Sequence, residues 1–423
     1  MLVGFYHPFY GNKNTDISLV FNGNPGYGGT QFCFSILIYQ LAVLYKDLNI
    51  IVYSDTKLTL PNGCICKIVS SEEELLRGAK KDNVQFLILK TPNDLNFYEV
   101  NSKYEVPLIC WAHNYFNAHI SKILTNSNWV KGVVFVGKQM YDFYYDDDVI
   151  EKSTFIYNAV PDRSCDAERK YKPFTAVYMG SIIKQKGIIE LLKLWKIVEG
   201  KYPQAELNII GTGKLYNKNS KLGPMGLADE NLEKELYPYL CNVDGKIKKN
   251  IHMLGLMGEE KYKIFSESAV GIVNPSAKTE TFGMGIIEMN SVGLPVVTKG
   301  WNGHLDTIIN GETGLTAFTI RGIAKQLIRL FEDNELNKRL GKVAKERVKL
   351  YSPNKIAKQW HDLFFSLSSN GYKFKKLILS EPYWNNYKFI RKSNAFFRQS
   401  LKLKFLPSIV QVETFINDMI KNI

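Results

Sequence analysis

Short apolar, β-branched runs alternate with longer segments of helical period along the first part of the chain. "LNIIVYS" (48–54), "VQFLILK" (84–90), "VPLICWAH" (106–113) and "VKGVVFVG" (130–137) read as strands, with helices between them. Their apolarity is nearly continuous rather than alternating, as expected of strands covered on both faces. The pattern therefore predicts a parallel sheet between helical layers. After residue 165 it restarts: "FTAVYMGS" (174–181), "QAELNIIGTG" (204–213), "NIHMLGLM" (250–257), "AVGIVNPS" (269–276) and "LPVVTKG" (294–300) read as strands, with helices such as "GIIELLKLWKIVEGKYP" between.

Two successive α/β domains follow, 1–165 and 170–355, with the boundary in the polar stretch "PDRSCDAERKYKP" (161–173). A lysine-rich insertion, 214–249, separates two strands of the second domain and is too long for a featureless loop. "YSPNKIAKQWHDLFFSL" has the spacing of a helix and opens a last segment, 356–423. Its tail is basic and aromatic from residue 371 onward. That composition is read first as a helix pair packed on the first domain, the alternative being an interfacial surface in which aromatics and lysines meet lipid headgroups.

Length and composition agree with this layout. At 423 residues the chain exceeds one ordinary core, given roughly 150 residues per domain. Its 45% apolar and 22% charged residues are those of a folded protein. Lys and Arg number 54 against 41 acids, a net charge of +13 that suits an anionic ligand, an anionic membrane or nucleic acid, or simply a solvated basic surface. The six cysteines include one Cys-x-Cys and no Cys-x-x-Cys, so neither a zinc site nor a disulfide framework is indicated, and a reducing, cytoplasmic setting fits. The N-terminal run lacks the basic flank and length of a signal peptide. No window is apolar enough to span a bilayer, so a soluble or peripheral protein is expected.

The chemistry concentrates in "TETFGMGIIEMNSVGLPVV" (279–297). A strand ends near Ser276, a loop carries Glu280, and a helix containing Glu288 is stopped by Gly293 and Pro295. In a parallel α/β domain such a loop and helix N-terminus line the ligand crevice. Free amides and the helix dipole there attract phosphate, and Gly283 and Gly285 allow close approach. Carboxylates suit hydroxyls instead. Acids on both sides of a phosphate site suggest a ligand with hydroxyls at both ends of a diphosphate, which describes a nucleotide sugar. The plainer alternative is a dipole-stabilising acid plus an unrelated helical Glu in a surface ion pair.

"PSAKTETFGMGIIEMNSVGLPVV" followed by "GHLDTIINGETGLTA" resembles the donor-site signature of retaining glycosyltransferases of the GT-B fold, the large family-four group, whose motif is Glu, seven residues, Glu. The resemblance runs from about residue 175 to 360. It implies α/β architecture with two Rossmann-like domains, their parallel sheets facing a central cleft. The first would be acceptor-side, the second would hold the donor, and the C-terminal segment would cross back onto the first. It assigns Glu280 to the donor sugar and Glu288 to the ribose, with Thr281, Phe282, Gly283 and Met284 lining the donor site between them.

Other segments join that assignment. "YMGSIIKQKGIIELL" (178–192) places Lys184 and Lys186 in a loop before a helix, where a cation can compensate charge on a leaving diphosphate. The family usually has Arg after the glycine of this turn; here Ser181 stands there, which leaves Lys186 as the main cation. "NIIGTGKLY" resembles the family's second glycine turn, putting Gly211 and Gly213 at the nucleotide crevice. Gly28 and Gly29 precede a helix of the first domain; they form either an ordinary tight turn or a glycine-rich start abutting phosphate or sugar. His113 closes a strand, satisfied by a backbone carbonyl or, as in many family members, set beside the donor sugar. Asn158, in "TFIYNAVP", resembles the family's hinge asparagine.

The expected activity is transfer, with retention, from a UDP- or GDP-sugar to a glycan or lipid-linked acceptor in surface polysaccharide or glycoconjugate synthesis. The expected catalytic set is Glu280, Lys186 and His113. No carboxylate nucleophile announces itself, so same-face transfer is expected, with the departing phosphate taking the acceptor's proton. No cofactor or metal is expected, as no aspartate-rich cation motif is present. The rivals are a nucleotide-sugar epimerase on the same architecture and a non-enzymatic nucleotide-sugar or nucleic-acid binding protein. The acids of the donor loop argue against nucleic acid as a partner.

Overall fold

A computed structural model describes residues 1–9, 15–24, 27–161, 163, 169–214 and 221–421. Residues 162 and 164–168 of the expected inter-domain stretch, including Cys165, and residues 215–220 of the insertion lie outside them. The chain divides into two compact units: Met1–Val20, Thr30–Ala159 and Pro353–Ile423 form the first, Phe21–Gly29 and Val160–Ser352 the second. The junctions thus fall at 159/160 and 352/353, against the expected 165/170 and 355/356.

The first unit is built on seven parallel strands, with a small β2–β4 pair beside them. Those strands are β1 (Leu2–Tyr6), β2 (Thr15–Asp16), β3 (Asn49–Ser54), β4 (Leu58–Thr59), β5 (Cys64–Ile68), β6 (Phe86–Lys90), β7 (Leu108–Ala112), β8 (Val130–Phe135) and β9 (Ser153–Phe155). The spatial order is β5-β3-β1-β6-β7-β8-β9. Interior strand β7 is buried throughout, as its unbroken apolar run requires. Edge strand β5 is mostly half-exposed, and its mixed sequence carries no strand signal. The chain returns to this unit as helix Pro353–Ser368, whose Trp360 is fully buried and meets Trp111 of β7 edge-on at 4.9 Å.

The second unit has six parallel strands, β10 (Thr175–Met179), β11 (Glu206–Ile210), β12 (Ile251–Gly255), β13 (Val270–Ile272), β14 (Val296–Lys299) and β15 (Gly314–Ala317). Their order, β12-β11-β10-β13-β14-β15, is the doubly wound 3-2-1-4-5-6 arrangement. Successive strand residues feed opposite layers. Ala176, Tyr178, Leu207 and Ile209 pack under helices Ile188–Lys201 and Ile320–Glu332, while Val177, Ile210 and Val296 pack with Phe265, Ile286 and Met289. The order reverses between β10 and β13. There, loops leaving adjacent strands diverge and open a crevice at the C-terminal edge of the sheet.

The insertion is ordered around helix Glu230–Leu240, whose Leu232, Leu236 and Leu240 join the core. Its buried Glu233 accepts the amides of Met225 at 2.8 Å, Leu227 at 2.7 Å and Ala228 at 3.1 Å, which fixes the preceding turn.

Candidate active site

The loop after β10 and the loop after β13 meet at the switch point. Lys186 closes a short 3₁₀ turn, Lys184–Lys186, and Gly187 turns the chain into helix Ile188–Lys201 with φ +73°. A Cβ on Gly187 would lie 2.7 Å from the amide nitrogen of Ser276, so only glycine lets the two loops touch. On the other side, Asn274, Ala277 and Thr279 all have positive φ, which coils the segment tightly enough to bring Glu280 back over the strand ends.

Glu280 is nearly buried and its Oε2 gathers the surrounding donors. Lys186 Nζ lies at 3.0 Å and Asn274 Nδ2 donates at 3.0 Å. His304 Nε2 stands 3.9 Å away. Burial alone would push the Glu280 pKa up, but Lys186, then His304 and the Asn274 hydrogen bond, outweigh it and hold the carboxylate below its ordinary value. His304 is fully buried, and burial lowers its pKa although the Glu280 charge opposes this. Its Nδ1 sits 3.1 Å from the Lys299 carbonyl, which selects the tautomer donating there and leaves Nε2 turned toward Glu280.

Helix Met284–Ser291 starts at Gly283, whose Cβ position is closed off by Ile286, Thr307 and the His304 ring at 2.9–3.0 Å. One turn in, Glu288 is buried and its Oε1 pairs with Lys261 Nζ at 2.7 Å, both side chains being under 10% exposed. Each glutamate therefore gives one oxygen to a lysine. Glu280 Oε1 and Glu288 Oε2 have no hydrogen-bond partner among the described residues.

Other sequence candidates are placed differently. Ser181 is buried beside the same turn, and its Oγ has no partner among the described residues. Lys184 pairs with Glu235 at the surface rather than with the Glu280 cluster. Gly211 has φ +148° and its Cβ position is 1.9 Å from the Gly180 carbonyl; that of Gly213 is 2.6 Å from the Leu227 carbonyl. Close backbone packing already accounts for both glycines. Thr281 and Phe282 lead into the helix, and Phe282 stacks edge-on against Tyr351 at 5.7 Å.

Gly28 precedes helix Gly29–Leu44, and a Cβ on Gly29 would meet nothing within 4 Å, so the protein's own packing does not demand glycine there. In the first unit His113 follows β7, buried against Trp111 at 4.6 Å and Phe34 at 5.8 Å. Burial, helped by Lys90, lowers its pKa to about 3, so the ring is neutral at physiological pH. Asn158, near the end of the same unit, is buried with Oδ1 unpaired among the described residues.

Residues 164–347 match the family model described as Glycosyl transferases group 1. The capsular polysaccharide biosynthesis glycosyltransferase CapM of Staphylococcus aureus is 28% identical over 195 residues, 45% of this chain and 44% of that protein. The poly(glycerol-phosphate) alpha-glucosyltransferase of Bacillus subtilis is 23% identical over 194 residues, 45% of this chain and 25% of its own. The chain thus spans less than half the length of these relatives. Among solved structures, a glycosyltransferase from Rickettsia africae superposes with a TM-score of 0.65 at 15% identity, over 88% of this chain and 99% of that one. Anabaena HepE in complex with UDP-glucose gives 0.63 at 14%, over 86% and 100%. The chain has the GT-B fold.

In this GT-B protein the stretch matching the family model is the unit that holds Lys186, Glu280 and Glu288. Three members of the cluster, Asn274, His304 and Lys261, are not singled out by sequence reasoning. Asn274 had a signal, since it stands where a predicted strand runs into a loop. His304 and Lys261, the latter one lysine within a charged run, have partners 24 and 27 positions away.

Proposed function

We propose that the protein is a retaining glycosyltransferase that moves a sugar from a UDP- or GDP-sugar to a glycan or lipid-linked acceptor in surface polysaccharide or glycoconjugate synthesis. The observation that carries the reading is the meeting of Lys186 and Glu280 at 3.0 Å across the switch point, with Glu288 eight residues further on. A fixed cation beside the N-terminus of helix Met284–Ser291 suits a diphosphate. Lys186 would stabilise the charge that grows on it as the glycosidic bond breaks. Glu280 Oε1 would accept from sugar hydroxyls and Glu288 Oε2 from the ribose, each carboxylate oriented through its other oxygen. His113, neutral, would serve by hydrogen bonding rather than as a proton carrier. UDP-glucose in Anabaena HepE and the polymer-building names of the two curated relatives support this substrate class.

The test is transfer or slow donor hydrolysis with a panel of nucleotide sugars. Lys186→Met is expected to lower turnover by about 10²–10³-fold with the fold intact. Wild-type turnover in that variant would remove the diphosphate role. Glu288→Ala should raise the donor KM, and an unchanged KM would remove the ribose role. The anomeric configuration of the first-formed product, read by NMR, decides retention.

A further inference from the structure

The C-terminal tail is folded inside out. Residues 371–423 contain ten Lys and Arg against three acids, so they carry +7 of the chain's +13. Three of those cations point inward. Lys388 meets Asp142 at 3.1 Å with both side chains fully buried, Arg391 meets Asp146 at 3.4 Å, also fully buried, and Arg398 meets Asp148 at 3.0 Å. Asp146 further accepts from Asn394 at 2.8 Å and from the Ile409 amide at 2.7 Å. The "YDFYYDDD" stretch (141–148) is thus the anchor on which the tail is assembled within the first unit.

What this arrangement turns outward is apolar. In helix Lys388–Ala395 and the π-helical turn after it, Phe389, Phe396 and Phe397 are exposed, and Phe405 beyond them is 80% exposed. Helix Ile409–Lys421 packs through Val410 and Thr414. Its Val412, Phe415, Ile416 and Met419, at spacings that define one helical face, are 38–66% exposed. The two acids of that helix are turned to protein partners, Glu413 to Arg391 and Asp418 to His119, so this face carries no charge. An ordinary surface helix would show the reverse pattern.

We propose that this face docks on an anionic lipid bilayer. Uncharged aromatic and aliphatic side chains on amphipathic helices insert at the headgroup boundary, and lysines around them attract anionic headgroups. Lys373, Lys375, Lys376, Lys392 and Lys402 are exposed, as is Lys404, which pairs with Asp148 at 2.8 Å and Glu151 at 3.0 Å; Glu381 is the one exposed acid of the described tail. A second copy of the chain is a poor occupant, because each tail carries ten Lys and Arg against three acids and two such faces would repel. The inference concerns the first unit alone and does not rest on the transferase reading.

The test is co-sedimentation of the full chain with vesicles of phosphatidylcholine, with or without phosphatidylglycerol. Binding is expected to the anionic vesicles and to weaken with salt. Phe415→Glu combined with Ile416→Glu should lower the partition coefficient about tenfold or more, with an unchanged circular-dichroism melt. Should that pair disturb folding, Phe405→Ser, on an 80% exposed side chain, is measured instead and should also lower partitioning. Absence of binding to anionic vesicles at low salt, or binding indifferent to these substitutions, overturns the proposal. So does a concentration-dependent dimer that the same substitutions dissolve.

Discussion

Glu280 is held ionised by specific neighbours, and this makes the site sensitive to their removal. Its folded-state pKa lies below the ordinary value, so the charge is lost only as pH falls through and beneath the usual carboxylate range. Asn274→Ala removes one of the donors while leaving the burial. The expected result is an acid limb of the pH–rate profile moved to higher pH, with Lys186→Met moving it further. Two buried histidines of the first unit are shifted in the same direction, for a different reason. Burial takes His7 and His113 from 6.5 to about 3, so between those values the unfolded chain binds protons the folded one refuses. Stability therefore falls as the solution is acidified from 6.5, by roughly 2 kcal/mol per histidine at about pH 5. Chemical denaturation at the two pH values should show it, and His113→Gln should flatten the slope. At this scale the motif residues were legible because fixed spacing within one loop and helix already implies a crevice. Asn274, His304 and Lys261 gain their roles only from tertiary contact, which a linear pattern does not carry.

Among elements, the loop-to-helix junctions hold the tightest packing. Gly187→Ala should cost about 2 kcal/mol, from its left-handed φ and the contact with Ser276, and should raise the donor KM by displacing the loop that carries Glu280. Gly211→Ala, with a Cβ driven to 1.9 Å from a backbone oxygen, should cost about 3 kcal/mol or more. Gly200→Ala, inside helix Ile188–Lys201 with nothing within 4 Å, should instead stabilise by about 0.5–1 kcal/mol. Thermal melts of the three variants separate these outcomes. Strands β3, β6, β7 and β8 were readable because burial on both faces forces an unbroken apolar run; β1, equally interior, was not, its run being short and broken by Gly4. Strands β5 and β9 were not, the first being an edge with polar positions and the second only three residues long. The tail was readable in composition but not in orientation, since a pattern of period 3.6 does not say which face looks inward.

For the whole molecule, the ionic anchor of the tail sets a condition on the first unit. Arg391→Met leaves Asp146 buried with one cation fewer, and the expected loss is about 3–5 kcal/mol. A melt monitored by Trp fluorescence should show it, and pairing the change with Asp146→Leu should recover part of the loss, because two apolar groups need no counter-charge. Removing residues 353–423 should be more severe, as it uncovers Trp111 and the sheet face under Trp360; loss of a cooperative transition for the first unit is the expected result.

The order in which the chain is made gives that last helix further weight. The second unit is written almost wholly within the first, and the segments by which the chain enters and leaves it are tied by the Val160 amide donating to the Tyr351 carbonyl at 3.0 Å. On the ribosome, the later-coded unit is the one that can finish first. The seven-stranded sheet emerges early but waits, one face bare, until Trp360 leaves the exit tunnel. Chains ending at residue 352 and freed from the ribosome should therefore show a protease-resistant second unit beside a sheet still open to cleavage and to holdase chaperones. Chains arrested well past the tail should resist in both.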